Sequence, residues 1–272
     1  MIVFPNAKIN IGLRVTSKRS DGYHDIETVF YPVRLSDALE FVISGQSIEK
    51  DILTVTGIDT LNGSDDNLVI KTVVALRRKR SFPFLKIHLH KAIPVGSGLG
   101  GGSSDAACLL KVINRYFELG IDEPDIRTMA LEIGSDCPFF ISCIPSLASG
   151  RGEILTPVKP VLSGCYLVII NPGVSINTIE AYQNCRPKKP GESLSRLIEH
   201  PVIEWQNHIL NDFEDFAFKK HPVLADIKKE LYYSKALFSL MSGSGSSVYG
   251  IFSEKPELPQ KLKEYAIWEE WM

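Results

Sequence analysis

Apolar and polar residues alternate near the N-terminus: Ile9, Ile11, Leu13 and Val15 fall on one side, Lys8, Asn10, Gly12 and Arg14 on the other. A two-residue period of this kind predicts a strand with one face in the core. Asp21-Gly22 is turn chemistry and is followed by extended sequence through Val33, so a hairpin or tight loop is expected there. The period then changes. Residues 67–79 read as a helix, and Leu85-Lys-Ile-His-Leu-His-Lys91 alternates again, as a half-buried strand does. Next, Ala106, Ala107, Leu109, Leu110, Ile113 and Phe117 fall at helical spacing behind Ser103-Ser104-Asp105, which offers N-cap chemistry. Pro124 suits a first helical residue; Ile126, Met129, Ala130 and Ile133 follow at helical spacing, and Gly134 ends the run.

Glycine and proline crowd the stretch from Ser149 to Gly164, which places a boundary between domains 1–155 and 156–272. Beyond it come a buried strand from Tyr166 to Ile170, a loop through Asn177, loop-like sequence over 184–196 and helical sequence near 205–230. A strand, a glycine-serine turn at 242–247 and a strand from Val248 to Phe252 complete the pattern. Two α+β domains are expected.

The segment Pro94-Val-Gly-Ser-Gly-Leu-Gly-Gly-Gly-Ser-Ser104 joins a strand to a helix and holds five glycines. Glycine is costly to order unless the backbone needs φ > 0 or close approach to something. A glycine loop that opens a helix gathers unpaired N–H groups at the positive end of the dipole, which is a site for an anion and above all for phosphate. The alternative is a flexible surface turn. Gly96, Gly98 and Gly101 also satisfy G-x-G-x-x-G, the fingerprint of a dinucleotide-binding oxidoreductase. There the acid some twenty residues on should end a second parallel strand, whereas Glu118 closes the amphipathic helix. No Gly-Lys-Ser/Thr occurs, which excludes a Walker loop, and the His-Arg-Asp and Asp-Phe-Gly elements of protein kinases are missing.

Composition narrows the class further. The chain has 272 residues, 44% hydrophobic and 23% charged, with a net charge of −2. That is ordinary globular composition without the basic footprint of a nucleic-acid binder. Arg77-Arg-Lys-Arg80 and Lys188-Lys189 read as solvated faces. Five cysteines (108, 137, 143, 165 and 185) without a CxxC pair fit reduced thiols better than a disulfide framework or a zinc site. With no signal peptide before the first strand and no apolar run near the ~20 residues that span a bilayer, a cytoplasmic protein with no membrane or nucleic-acid partner is expected.

Several residues could carry chemistry. Lys8 lies mid-strand on the polar face, and spacing alone fits a solvent-facing lysine as well as a catalytic one. Asp136 follows the Gly134 helix stop and precedes the apolar Pro138-Phe-Phe-Ile141; alone it is equally a turn cap. With a phosphate loop nearby, a carboxylate and an ammonium meeting at a hydroxyl would suit phosphoryl transfer. His88 and His90 share a strand face but lack a third ligand at metal spacing, so both read as polar-face histidines. Tyr23-His24, on the turn after Asp21-Gly22, suits recognition of a planar base, though turn packing explains it as well.

Three motifs in order, Pro5-Asn-Ala-Lys-Ile-Asn10, Pro94 to Ser104 and Ser242-Gly-Ser-Gly-Ser-Ser247, resemble those of the GHMP small-molecule kinases (galactose, homoserine, mevalonate and phosphomevalonate kinases and relatives). Further segments resemble the family's branch with a cytidine-linked substrate: Asp21-Gly-Tyr-His24, Asp66-Asn-Leu68, Gly134-Ser-Asp-Cys-Pro138, Gly152-Glu-Ile-Leu-Thr-Pro157 and Pro172-Gly-Val-Ser-Ile176. The resemblance implies an N-terminal domain like ribosomal protein S5 domain 2 and a ferredoxin-like C-terminal domain. It implies an ATP-dependent kinase, using Mg²⁺, that phosphorylates the 2-hydroxyl of a cytidine diphosphate-linked methylerythritol on the non-mevalonate isoprenoid route. The alternative is a mevalonate- or homoserine-type kinase of the same family, or a non-catalytic nucleotide-binding regulator on the same scaffold. Lys8 and Asp136 would be the catalytic pair. Pro94, Val95, Gly96, Ser97, Gly98, Leu99, Gly100, Gly101, Gly102, Ser103 and Ser104 would wrap the ATP phosphates. Tyr23 would stack on the cytosine, His24 would read its edge, and Tyr182 would complete a sandwich, with Asn10 and Thr178 near the substrate. A monomer or weak homodimer is expected. Ser97 departs from the family's frequent glycine, and Cys137 from its usual small aliphatic residue.

Overall fold

The N-terminal alternation forms a strand of 13 residues, and the Asp21-Gly22 turn folds the chain back into a second of the same length. The computed structural model describes residues 1–45, 49–58, 67–189 and 191–272. In chain order its strands are β1 (Ile2–Val3), β2 (Asn6–Lys18), β3 (His24–Ser36), β4 (Ala38–Ile43), β5 (Ile52–Gly57), β6 (Leu85–Lys91), β7 (Ser146–Ser149), β8 (Ile154–Pro157), β9 (Tyr166–Ile170), β10 (Phe238–Met241), β11 (Val248–Phe252) and β12 (Ala266–Trp271). Its α-helices are α1 (Leu68–Lys79), α2 (Gly101–Tyr116), α3 (Glu123–Ile133), α4 (Cys137–Ser142), α5 (Thr178–Gln183), α6 (Leu194–Leu197), α7 (Glu214–Lys220), α8 (Pro222–Tyr233) and α9 (Gln260–Lys263). The architecture is α+β.

The chain clusters into two compact units. One comprises Met1–Ala7, Arg34–Val95 and Gly100–Ile144, the other Lys8–Val33, Gly96–Leu99 and Pro145–Met272. Strands β2 and β3 each begin in one unit and end in the other, so no single cut in the sequence separates the two.

In the first unit the sheet runs β1-β4-β6-β5, with β5 and β6 parallel and the other pairs antiparallel. Helix α1 connects the parallel pair, as a crossover must. It starts at Asn67, whose side chain accepts from the Val69 N–H, and buries Val69, Thr72, Val73 and Leu76. Asp66, the first residue of the Asp66-Asn-Leu68 segment, lies outside the described residues. The basic run at its C-terminus is only partly solvated. Arg77 bonds Asp51 at 2.7 and 2.8 Å and lies over the Phe82 and Phe84 rings at 4.1 and 4.6 Å. A guanidinium on a long stem covers apolar surface that the charge pattern cannot reveal.

The second unit holds the sheets β2-β3-β7-β8 and β10-β11-β9-β12. Its core gathers Leu13, Val15 and Ile26 with Val168, Ile170, Leu224, Ile227, Leu231 and Val248. The helical sequence near 205–230 is broken into a 3₁₀ turn at Val202–Asn207, then α7 and α8. Pro222 causes the second break by pushing His221 out of helical backbone, at φ −134° and ψ 82°. The tryptophan-rich tail forms edge strand β12 on β9, with Trp271 edge-on to Tyr166 at 5.1 Å.

Candidate active site

Between β6 and α2 the backbone turns left-handed three times, at Gly96 (φ 66°), Gly98 (79°) and Gly100 (73°). Gly98 is the position that admits no side chain: a Cβ there would lie 1.9 Å from the Ser242 carbonyl oxygen. Gly100 is the N-cap of α2, and no side chain caps the helix. Ser103, Ser104 and Asp105 have the chemistry of a cap, but they lie inside its first turns. Tertiary contacts claim them instead, because Asp105 accepts from Lys91 at 2.8 Å and Ser104 is buried. A helix of 16 residues therefore opens on glycine N–H groups with its dipole uncapped by any carboxylate, the arrangement that binds phosphate.

Lys8 is 3% exposed and Asn10 1%, so the polar face of β2 is not a solvent face. The Lys8 ammonium donates to the Gly98 carbonyl at 2.9 Å and to Asn10 Oδ1 at 2.5 Å, 5.1 Å from the Phe30 ring centre. Asn10 Nδ2 donates to Thr28 Oγ1 at 2.9 Å, and Tyr249 donates to the Asn10 carbonyl at 2.9 Å. Ser242, from the glycine-serine turn, donates to the same Gly98 carbonyl at 2.9 Å. Both ends of the Asn10 amide are bonded within the protein. The glycine segment is thus held from behind by a buried polar network, in which Thr28, Ser242 and Tyr249 gave no signal in the periodicity of the sequence.

Asp136 occupies the N-cap position of α4 in helical backbone, and its carboxylate makes no capping bond. Pro138 in the first turn and the Cys137 N–H bond to the Gly134 carbonyl at 3.0 Å set the start of that helix instead. Cys137 shares a hydrogen bond with the Ser103 hydroxyl, and burial pushes its thiol up to about 12. A Cβ at Gly134 would lie 3.7 Å from Ser103 Oγ. The turn carrying Asp136 thus abuts the first turn of α2.

The hairpin between β2 and β3 is braced by Asp21, which accepts from the Tyr23 N–H at 3.1 Å and pairs with Arg19 at 3.0 Å. Tyr23 is 53% exposed, with the Arg151 guanidinium 4.5 Å from its ring centre. His24 stacks on Tyr182 at 4.9 Å and 16°, and Tyr182 stands edge-on to Phe213 at 4.9 Å. Tyr182 and Thr178 both come from α5, a short helix between two loop-like stretches, started by Asn177; Thr178 shares a hydrogen bond with Ser244 at 3.0 Å. Tyr23, His24 and Tyr182 are therefore neighbours of one turn and its packing partner. Arg151 carries no signal in the sequence beyond its place beside Gly152-Glu-Ile-Leu-Thr-Pro157.

Burial, and then the Lys18 charge, hold the His24 imidazole below the ordinary histidine value. Folding thus disfavours its protonation, and the stability it contributes is present above the unfolded value of about 6.5 and lost as pH falls below the latter. An NMR titration of this ring should have its midpoint under that value. A midpoint above it would mean that the stack on Tyr182 holds an imidazolium.

His88 and His90 both share hydrogen bonds with Thr56, at 2.8 and 3.0 Å. Among the described residues no group of three or more His, Cys, Asp or Glu could hold a metal ion, and no helix is long and apolar enough to cross a membrane.

The model of the GHMP kinases N terminal domain matches residues 67–143, and that of GHMP kinases C terminal matches 195–267. The chain is 48% identical over 260 residues to a 4-diphosphocytidyl-2-C-methyl-D-erythritol kinase from Porphyromonas gingivalis, covering 95% of this chain and 94% of that protein. It is 47% identical over 260 residues to the protein of that name from Bacteroides thetaiotaomicron, with 96% and 95% covered. Among solved structures, a 4-(cytidine 5'-diphospho)-2C-methyl-D-erythritol kinase matches with a TM-score of 0.80 at 28% identity, over 99% of this chain and 98% of that one.

Proposed function

The chain belongs to the GHMP kinase family, and from that membership we propose that Lys8 and Asp136 are its catalytic pair. It is an ATP-dependent 4-diphosphocytidyl-2-C-methyl-D-erythritol kinase, which phosphorylates the 2-hydroxyl of that substrate on the non-mevalonate route to isoprenoid precursors. Asp136 takes the proton of the attacking hydroxyl, and Lys8 stabilises the alkoxide as charge develops. The support is that each stands in a segment that resembles the family's motifs, Lys8 in Pro5-Asn-Ala-Lys-Ile-Asn10 and Asp136 in Gly134-Ser-Asp-Cys-Pro138. Residues 94–104 hold the ATP phosphates on their N–H groups. Asn10, with its amide already committed, acts on the reaction by orienting Lys8.

Mg²⁺ fits as an ion carried by the nucleotide, since its preferred ligands are oxygens and water and no group of three or more His, Cys, Asp or Glu among the described residues could hold it. Ser103, half-buried at the start of α2, would offer it a hydroxyl oxygen. When bound, the ion neutralises charge on the phosphate oxygens.

The cluster of Tyr23, His24 and Tyr182 is the observation that carries the substrate reading, because only a nucleotide-linked alcohol needs a site that stacks a base. Tyr23 stacks, neutral His24 reads the base edge, Tyr182 closes the other face, and Thr178 stands beside the substrate on the same helix. Turnover of ATP should be robust with the cytidine substrate and weak with mevalonate or homoserine; the reverse would reassign the chain to another kinase of the family. Tyr23→Ala should raise the KM of the cytidine substrate about 10-fold, the order expected when a stacking platform worth about 1–3 kcal/mol is lost, with a smaller effect on kcat. An unmoved KM places the base elsewhere.

A further inference from the structure

Asp37, Lys91 and Asp105 form a buried ionic cluster that the catalytic scheme does not use. They are 0%, 4% and 2% exposed. Asp37 Oδ1 accepts the N–H groups of Ala92 at 2.6 Å and Ile93 at 2.8 Å, the two residues just before Pro94. Its other oxygen accepts from the Lys91 ammonium. That ammonium also donates to Asp105 Oδ2 at 2.8 Å, on α2. It lies under the first residue of the helix, where a Cβ at Gly101 would be 3.2 Å from Lys91 Nζ and 2.9 Å from the Ile93 side chain. The chain leaves the cluster at Ile93 and returns to it at Gly101.

We propose that Asp37, Lys91 and Asp105 are positioning residues for ATP, a clamp that fixes both ends of the glycine segment so that its N–H groups meet the phosphates. The inference rests on the reading of residues 94–104 as the phosphate site. Burying three charges costs several kcal/mol per ion before pairing, and an apolar replacement of such a cluster is often neutral or stabilising. Stability alone is therefore a poor reason for the cluster, and Asp105 makes the point sharply. Its Oδ1 is buried and meets no donor among the described residues. Burial pushes this carboxyl up to about 7, against the pull of Lys91 and with the push of Asp37. Burial alone would lower the Lys91 ammonium, but the two carboxylates raise it. What Asp105 does provide is a tether from α2 to the residue that ends β6.

Asp105→Leu removes the tether and fills the space with apolar atoms. The KM for ATP–Mg²⁺ should rise on the order of 10–100-fold, the scale of a small misplacement of binding groups, with the KM of the cytidine substrate unchanged. Asp105→Asn keeps an oxygen for Lys91 and should restore the KM for ATP to within about twofold of wild type, since a neutral acceptor retains the tether. If Asp105→Leu does not fold, Asp105→Ala is read the same way. Gly96→Asp is the control: the position has open space around it, and a carboxylate there opposes the phosphates directly. A raised KM for ATP in Gly96→Asp with none in Asp105→Leu overturns the clamp and leaves the phosphate site standing. No effect in Gly96→Asp overturns the phosphate site itself. A fall in melting temperature with both KM values raised together, unrelieved in Asp105→Asn, assigns the cluster to stability alone and overturns the clamp.

Discussion

Asp136→Asn should lower kcat on the order of 10²–10⁴-fold, the usual worth of a general base, with the KM of both substrates close to wild type. The substitution keeps shape and hydrogen-bonding capacity but supplies no group able to accept the hydroxyl proton. Its effect on folding should be small, because the start of α4 depends on Pro138 and on the Cys137 to Gly134 bond, and asparagine keeps the size of the side chain. A melting temperature within a few degrees of wild type, measured beside the steady-state rates, separates loss of chemistry from loss of structure. Full activity would remove Asp136 from the mechanism and leave it a turn residue.

How much of this site can be read from the sequence depends on how local its cause is. The strand around Lys8 follows from alternation, but alternation assigns one face to the core and the other to water. Both faces are buried here, because Asn10, Thr28 and Ser242 satisfy the polar side from strands and turns far away in sequence. The glycine segment is visible as composition, whereas the start of α2 is not. Ser103-Ser104-Asp105 has the chemistry of a cap, and the competing bond from Lys91 draws Asp105 into the helix. Tyr182 needs a tertiary explanation too, since α5 is a six-residue helix with little periodicity to detect and its stacking partner is His24. The break before α8 has a local cause in Pro222, which restricts the residue ahead of it, yet the helical pattern over 205–230 runs across it without interruption. The interleaved units had no local signal at all. They arise because two long strands are shared, and strand length says nothing about which core each end joins.

Lys8→Met is the sharper test of the pair. The methionine stem can keep the packing near Phe30 while the charge goes, and kcat should fall on the order of 10²–10³-fold, as when a preorganised donor to a developing oxyanion is removed. The Gly98 carbonyl would lose one donor but keep Ser242, and Asn10 Oδ1 would lose its strongest partner. A stability loss of about 1–3 kcal/mol should follow, because the Gly98 carbonyl and Asn10 Oδ1 would share the single Ser242 hydroxyl proton, read as a lower melting temperature. Lys8→Arg should not rescue the rate, because a planar fork cannot reproduce a compact ammonium in so closed a position. The deciding measurement is the double variant Lys8→Met with Asp136→Asn. If both residues serve one hydroxyl, its rate should lie close to that of the slower single variant rather than at the product of the two losses. Losses that multiply would mean two independent contributions, and the pairing of ammonium with carboxylate would have to be abandoned even if each residue proved important alone.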